Sequence, residues 1–197
     1  MVSLISYHLR RIKEYTQRYF YTSIFYPSSK KEILWELFVE VNKFLADLNI
    51  EYWTNYGTLL GFYREQDLIE HDIDIDFGCH DKFSSLIWSN KHKLCSKFKM
   101  HDSSSRHLGP KYYISYKGFD ADIYFYKYEK DHLHTYEKTI WENYNSPIPA
   151  KYLYPLQELK INNIQTFIPN NTEEYLKTIY GNLEAGAVMN SKTGFWE

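Results

Sequence analysis

Between Tyr56 and Gly78 the chain reads YGTLLGFYREQDLIEHDIDIDFG, with aspartates at 72, 74 and 76 and isoleucine between them. That alternation predicts a strand over His71 to Phe77, with the three carboxylates on one face and Ile73, Ile75 and Phe77 on the other. Like charges held so close disfavour one another, and aspartate is a poor strand former. A cation is therefore expected among them; the alternative is a solvated edge face. Neighbouring carboxylates on one face lie roughly 6.5–7 Å apart and can grip an ion, but three in a row span about 13 Å and cannot all reach the same one. A further ligand is expected from a second strand. Phe119 to Tyr126 offers Asp120, Asp122 and Tyr124 on one face and Phe119, Ala121, Ile123 and Phe125 on the other. All-oxygen donors of this kind suit Mg2+ or Mn2+ rather than Zn2+.

Upstream, Gly57-Thr58 lies between a short strand (Ile50 to Asn55) and a short helix expected through about Arg64. A turn there can set backbone N–H groups and the Thr58 hydroxyl against a phosphate at a helix N-terminus. The elements that must hold these residues are legible in outline. Ile33, Leu34, Leu37, Phe38, Val41, Phe44, Leu45 and Leu48 recur at steps of three and four, which predicts a helix from about 30 to 48. Ser29 and Glu32 have capping-box spacing at its start. Tyr112–Tyr116 and Phe119–Tyr126 flank Lys117-Gly118 as a hairpin, and LKINNIQTFIP reads as a second hairpin around Asn162-Asn163. A last helix starts at Asn171 or Thr172 and stops at Gly181. HDSSSRHLGPK, between the two acidic strands, is rich in turn formers and is expected as a loop. The fold class is α+β, a small mixed or antiparallel sheet flanked by helices.

Bulk properties bound the function. The 197 residues suit one domain with a small appendage, here an N-terminal helical, aromatic extension over 1–29 and a catalytic domain over 30–197. A net charge of −2 provides no field to recruit nucleic acid. Two cysteines exclude a disulfide framework. No run approaches eighteen apolar residues, and the N-terminus lacks the pattern of a signal peptide, so the cytoplasm is the expected location. Arginines, lysine and aromatics in residues 1–26 would let that segment rest on the inner face of the membrane; packing on the domain is the alternative. Aromatics make up 19% of the chain, which core packing explains most simply and a groove stacking a sugar or base ring explains otherwise.

The block GTLLGFYREQDLIEHDIDIDFG resembles the signature of the LicD/fukutin family, through Gly57, Thr58, Leu59, Leu60, Gly61, Arg64, Ile69, Asp72, Asp74 and Asp76. Ala121-Asp122-Ile123 is similar to the family's later hydrophobic-Asp-hydrophobic strand, and FIPNNTEEYLKTIYG to its ending; the likeness covers about residues 30 to 185. Glu70-His71 stands where Pro-Trp is usual, and Asn182-Leu183-Glu184 where tryptophan often follows Tyr-Gly. The resemblance implies a nucleotidyltransferase-like fold and transfer of a phospho-alcohol from a CDP-activated donor to a hydroxyl of a cell-surface glycan or glycolipid, releasing CMP. Phosphocholine, ribitol phosphate and glycerol phosphate are the groups it suggests.

On that basis Asp74, Asp76 and Asp122 are the expected metal ligands and catalytic residues, with Asp122 also the candidate acceptor of the attacking hydroxyl's proton. Gly57 and Thr58 are expected to touch a donor phosphate. Arg64 is expected to pair with a phosphate oxygen, a surface ion pair being the alternative. Asp72 is expected to orient a water or hold the turn. Lys111, with Arg106, is a candidate phosphate or acceptor contact. The scattered histidines, His101, His107, His132 and His134, read as solvated or core. Two rival functions share the site: transfer of a nucleotide itself with release of pyrophosphate, and a binding protein whose site is vestigial.

Overall fold

The structure, a computed structural model, describes residues 30–137, 146–184 and 186–197. The 1–29 extension, its proposed membrane contact and the Ser29 half of the capping pair lie outside the described residues. Helix α1 (Lys30–Asp47) buries Ile33, Leu34, Leu37, Phe38, Val41, Phe44 and Leu45, the stripe its periodicity predicts. β1 (Tyr52–Thr54) leads into α2 (Tyr56–Glu65) and then β2 (Asp74–His80). α3 (Ser84–Ser89), β3 (Lys99–Asp102), β4 (Lys111–Tyr116), β5 (Phe119–Glu129), β6 (His132–Thr135) and β7 (Ile148–Pro149) follow. The described chain continues with α4 (Ala150–Leu153), the hairpin β8 (Gln157–Ile161) and β9 (Ile164–Ile168), and α5 (Thr172–Tyr180).

The main sheet runs in the order β1-β2-β5-β4-β3, with β6 on the far half of β5 and β7 beside β6. β2 and β5 are parallel and every other pair is antiparallel, so the sheet is mixed and the class is α+β. Both hairpins form where expected. Lys117 and Gly118 have positive φ of 47° and 81°, and Asn162 and Asn163 have 45° and 64°, the backbone that a two-residue turn between twisted strands requires. Asn171 caps α5 by accepting the Glu174 N–H at 3.3 Å, and Gly181 ends it at φ 81°.

One sheet face carries Ile75, Phe77, Cys79, Ile114, Ala121, Ile123 and Phe125 and packs under α1. Among the described residues the opposite face is only half covered. There Trp53, Tyr126, Leu133 and Ile148 meet Leu59 and Leu60 of α2, Leu153 of α4 and Tyr175, Leu176 and Ile179 of α5. A buried polar chain ties these parts together: Trp53 Nε1 donates to Tyr175 OH (2.9 Å), Tyr175 OH to Asn55 Oδ1 (2.9 Å), and Asn55 Nδ2 to Tyr126 OH (2.7 Å). Such groups are stable in an apolar setting only because each finds a partner.

Gly78 on β2 is where the Trp53 indole lies flat against the sheet. A Cβ at that position would stand 2.4–2.7 Å from three indole atoms. Gly78→Ala is expected to cost about 2–3 kcal/mol, the usual penalty of overpacking a filled core, read as a lowered urea midpoint with unchanged m-value.

The strand expected at His71–Phe77 instead runs Asp74–His80. Its start is set by pairing: the parallel ladder opens at Asp74↔Asp120, while the Asp72 N–H donates to the Ile69 carbonyl (3.1 Å) in a turn. The stretch read as a loop before β4 holds the end of β3, His101 and Asp102, on the sheet's edge and a short 3-10 turn at Ser104–Arg106, with Ser103 buried. Among the described residues no helix is long and apolar enough to cross a membrane.

Candidate metal centre and active site

The half-open face arises from register. Asp74 pairs with Asp120 and Asp76 with Asp122 across the parallel strands. Asp122 then pairs with Tyr113 of β4, and Tyr113 with His101 of β3. One row across the sheet therefore reads Asp76, Asp122, Tyr113, His101. The neighbouring row reads Gly78, Tyr124, Lys111. Asp74, Asp76 and Asp122 each offer a carboxylate oxygen, and these oxygens lie within 4.8 Å of one another. Two ligands from one strand and a third from its neighbour is the division that strand geometry demands of a single ion.

Asp76 is the fixed member. Its backbone N–H donates to Thr58 Oγ1 (2.9 Å), its carbonyl accepts from the Asn55 N–H (2.9 Å), and its Oδ2 accepts from the Gly57 N–H (3.1 Å). The first turn of α2 thus grips both the backbone and the side chain of one residue. Its amides and dipole favour a negative group at that spot. Thr58 is fully buried. Its hydroxyl is turned to the strand carrying Asp76, not to solvent. A Cβ at Gly57 would approach Asp72 Oδ2, the end of a side chain that can shift, to 2.9 Å. Asp72 lies ahead of the strand and packs on that turn. Arg64 is exposed at the other end of α2, about 10 Å along the helix from Gly57, and donates to the Leu183 carbonyl.

Among the described residues the charge on this face has one buried counterpart. Lys111, 5% exposed, sets its Nζ 3.5 Å from Asp122 Oδ2, 3.8 Å from Glu137 Oε1 and 2.8 Å above the Tyr124 ring centroid. Its Nζ makes no hydrogen bond among the described residues. His107 Nδ1 is likewise buried without one, 3.5 Å from Glu137 Oε1. Burial holds the His107 imidazole below its ordinary pKa, Glu137 pulling the other way. Glu137 and the approach of His107 to Lys111 have no local signal in sequence; the fold brings them in from the ends of loops. Tyr124 could be foreseen, since it shares the Asp122 face of its strand.

Burial, then the neighbouring carboxylates of Asp74, Asp122 and Asp72, push Asp76 well above the usual carboxylate range, against the pull of Lys111. A hard-oxygen trio whose buried member resists ionising alone fits a divalent cation, which would restore the charge balance. The sign follows from linkage. A carboxyl raised on folding stabilises the protonated protein below its unfolded value of 3.8, and that stability is lost as pH rises through the raised value. The metal-free protein is expected to weaken as pH climbs from about 4 towards neutrality, with Asp76→Asn flattening the trend. Urea unfolding in chelator across that range checks it.

An uncharacterized protein of Rickettsia typhi is 28% identical over 170 residues, covering 85% of this chain and 52% of that one. The human ribitol-5-phosphate transferase FKTN is 27% identical over 174 residues, covering 81% of this chain and 34% of its own length. The chain thus spans about half of the first relative and a third of the second. A solved lincosamide antibiotic adenylyltransferase, LnuA, superposes with a TM-score of 0.45 at 10% identity over 77% of this chain and 85% of that one, a likeness too shallow to bear on the assignment. The family model described as the LicD/FKTN/FKRP nucleotidyltransferase domain matches residues 49–171, more than half of the sequence, from before β1 to the start of α5. This chain belongs to the LicD/FKTN/FKRP family.

Proposed function

We propose that the protein transfers a phospho-alcohol (ribitol phosphate, glycerol phosphate or phosphocholine) from a CDP-activated donor to a hydroxyl of a glycan or glycolipid, releasing CMP. Family membership and the similarity to proteins named ribitol-5-phosphate transferases support phospho-alcohol transfer. The observation that carries the reading is the convergence of Asp74, Asp76 and Asp122 beside Lys111.

In the proposed reaction the acceptor oxygen forms a bond to the phosphorus bearing the alcohol. The bond from that phosphorus to the bridging oxygen breaks, and CMP leaves with its electron pair. Asp74, Asp76 and Asp122 hold Mg2+ or Mn2+, which supplies neutralisation of the diphosphate charge. Asp122, partly exposed, takes the proton of the attacking hydroxyl. Lys111 faces a phosphate oxygen from its place beside Asp122. Gly57 and Thr58 hold Asp76 in place, Asp72 supports the Gly57 turn, and Arg64 has no role at the reacting atoms. The work is cytoplasmic, on the inner face of the membrane where the acceptor is lipid-linked.

The test is product analysis. With Mg2+ or Mn2+, CDP-ribitol, CDP-glycerol and CDP-choline are incubated with the full chain and glycan acceptors, and CMP is followed. CMP release with phospho-alcohol on the acceptor is expected. Pyrophosphate release with a nucleotide on the acceptor would establish nucleotidyl transfer instead. Absence of thermal stabilisation by every metal–nucleotide pair would mark a non-catalytic protein, because a ligand of the native state must stabilise it.

A further inference from the structure

Beyond Asp122 the sheet face continues onto β4 and β3, where none of the helices that cover its other half reaches it. Tyr113, His101, Ser115, Asp120 and Asp122 are all partly exposed there. Tyr113 and His101 stand on adjacent strands with ring centroids 4.7 Å apart and planes 15° from parallel. That spacing matches the distance between strands, about 4.8 Å, so the rings stand upright and face to face. His101 backs one side of Tyr113 and is itself pinned by Ser115 Oγ, 2.8 Å from its Nε2. The other side of the Tyr113 ring turns towards β5, where its direct neighbour is the short side chain of Asp122. A tall ring beside short carboxylates leaves a notch. Tyr113 makes no other ring contact, and its hydroxyl has no hydrogen-bond partner among the described residues.

The chemistry of the notch selects its occupant. One wall is an aromatic face that suits apolar C–H groups. The floor is carboxylate, which accepts hydrogen bonds from hydroxyls. A neutral polyol with an apolar ring face meets both demands. A hydroxyl on such a ring also lies next to Asp122, the group assigned to take its proton.

We propose that Tyr113, backed by His101, is the platform for a pyranose ring of the acceptor and sets its hydroxyl at Asp122. This rests on the proposed transfer, since it names the acceptor side of that site.

The test is binding without turnover. Saturation-transfer NMR on the full chain, with no donor, uses methyl glycosides of glucose, galactose and N-acetylgalactosamine. A parallel titration uses CMP with Mn2+. At least one glycoside is expected to bind, about tenfold more weakly in Tyr113→Ala, with binding kept in Tyr113→Phe and weakened a few-fold in His101→Ala. CMP affinity should be the same in all four proteins. The proposal is overturned if no glycoside binds, if Tyr113→Ala and His101→Ala bind it as the wild type does, or if Tyr113→Ala loses CMP tenfold and keeps the glycoside, which would make the ring a base platform. His101→Ala carries the test should Tyr113→Ala fail to fold. Asp76→Asn should still bind the glycoside, so CMP release that never occurs alongside intact glycoside binding would sink the reaction and leave the platform.

Discussion

Asp76→Asn is expected to lower CMP release by roughly a thousandfold, the scale of losing one fixed electrostatic partner of a transferring group, and to leave the metal-free protein folded and more stable. The two halves of this expectation have one cause. Asp76 is buried beside three other carboxylates, so its charge is unfavourable until a cation arrives. Asparagine keeps the acceptor oxygen for the Gly57 N–H and removes the charge. Stabilisation by Mg2+ or Mn2+ should fall with it. Asp122→Asn should lose comparable activity with a smaller gain in stability, because Asp122 is less enclosed and has Lys111 beside it. CMP release together with unfolding in chelator, with and without metal, decides the matter. Retained turnover in either variant would remove the carboxylates from the chemistry.

Lys111→Met preserves much of the side chain's bulk and deletes its charge. The metal-free variant is expected to lose about 3 kcal/mol, as when one member of a buried ion pair is removed. Its carboxylates then have no resident cation, so added Mg2+ or Mn2+ should raise its melting temperature by more than it raises that of the wild type. Turnover should fall roughly a hundredfold through the lost phosphate contact. A variant as stable as the wild type in chelator would show that Lys111 does not balance Asp122.

Much of this arrangement could be read from the chain. The α1 stripe, both hairpins and the α5 caps come from short-range patterns: apolar steps of three and four, Lys117-Gly118 and Asn162-Asn163 at turns, and Asn171 and Gly181 at the ends of a helix. The demand for a second acidic strand followed from the reach of one carboxylate row. Other parts have no local trace. β3 has one apolar residue, Met100, in Lys99–Asp102, and a strand at the sheet's edge needs no more. The start of β2 at Asp74 was hidden because alternation begins at Asp72, while only pairing to Asp120 decides where the ladder opens. Thr58 looked like a phosphate contact because its hydroxyl follows a glycine; its burial against β2 depends on how α2 returns to the sheet. Lys111 was visible only as a cation in a polar stretch. Its place beside Asp122 comes from the register of β4 on β5.

The two acidic strands lie side by side and point the same way, so no simple turn can join them. The intervening chain must leave the sheet, build its far edge and return before the third ligand arrives. Under the proposed metal site, ion capture reports the completed topology rather than any local piece of it. Assembly dominated by such distant pairing is slow, and a fragment cut between β2 and β5 holds two of the three carboxylates at best. Cation affinity can thus serve as an assay for whether the whole chain has closed.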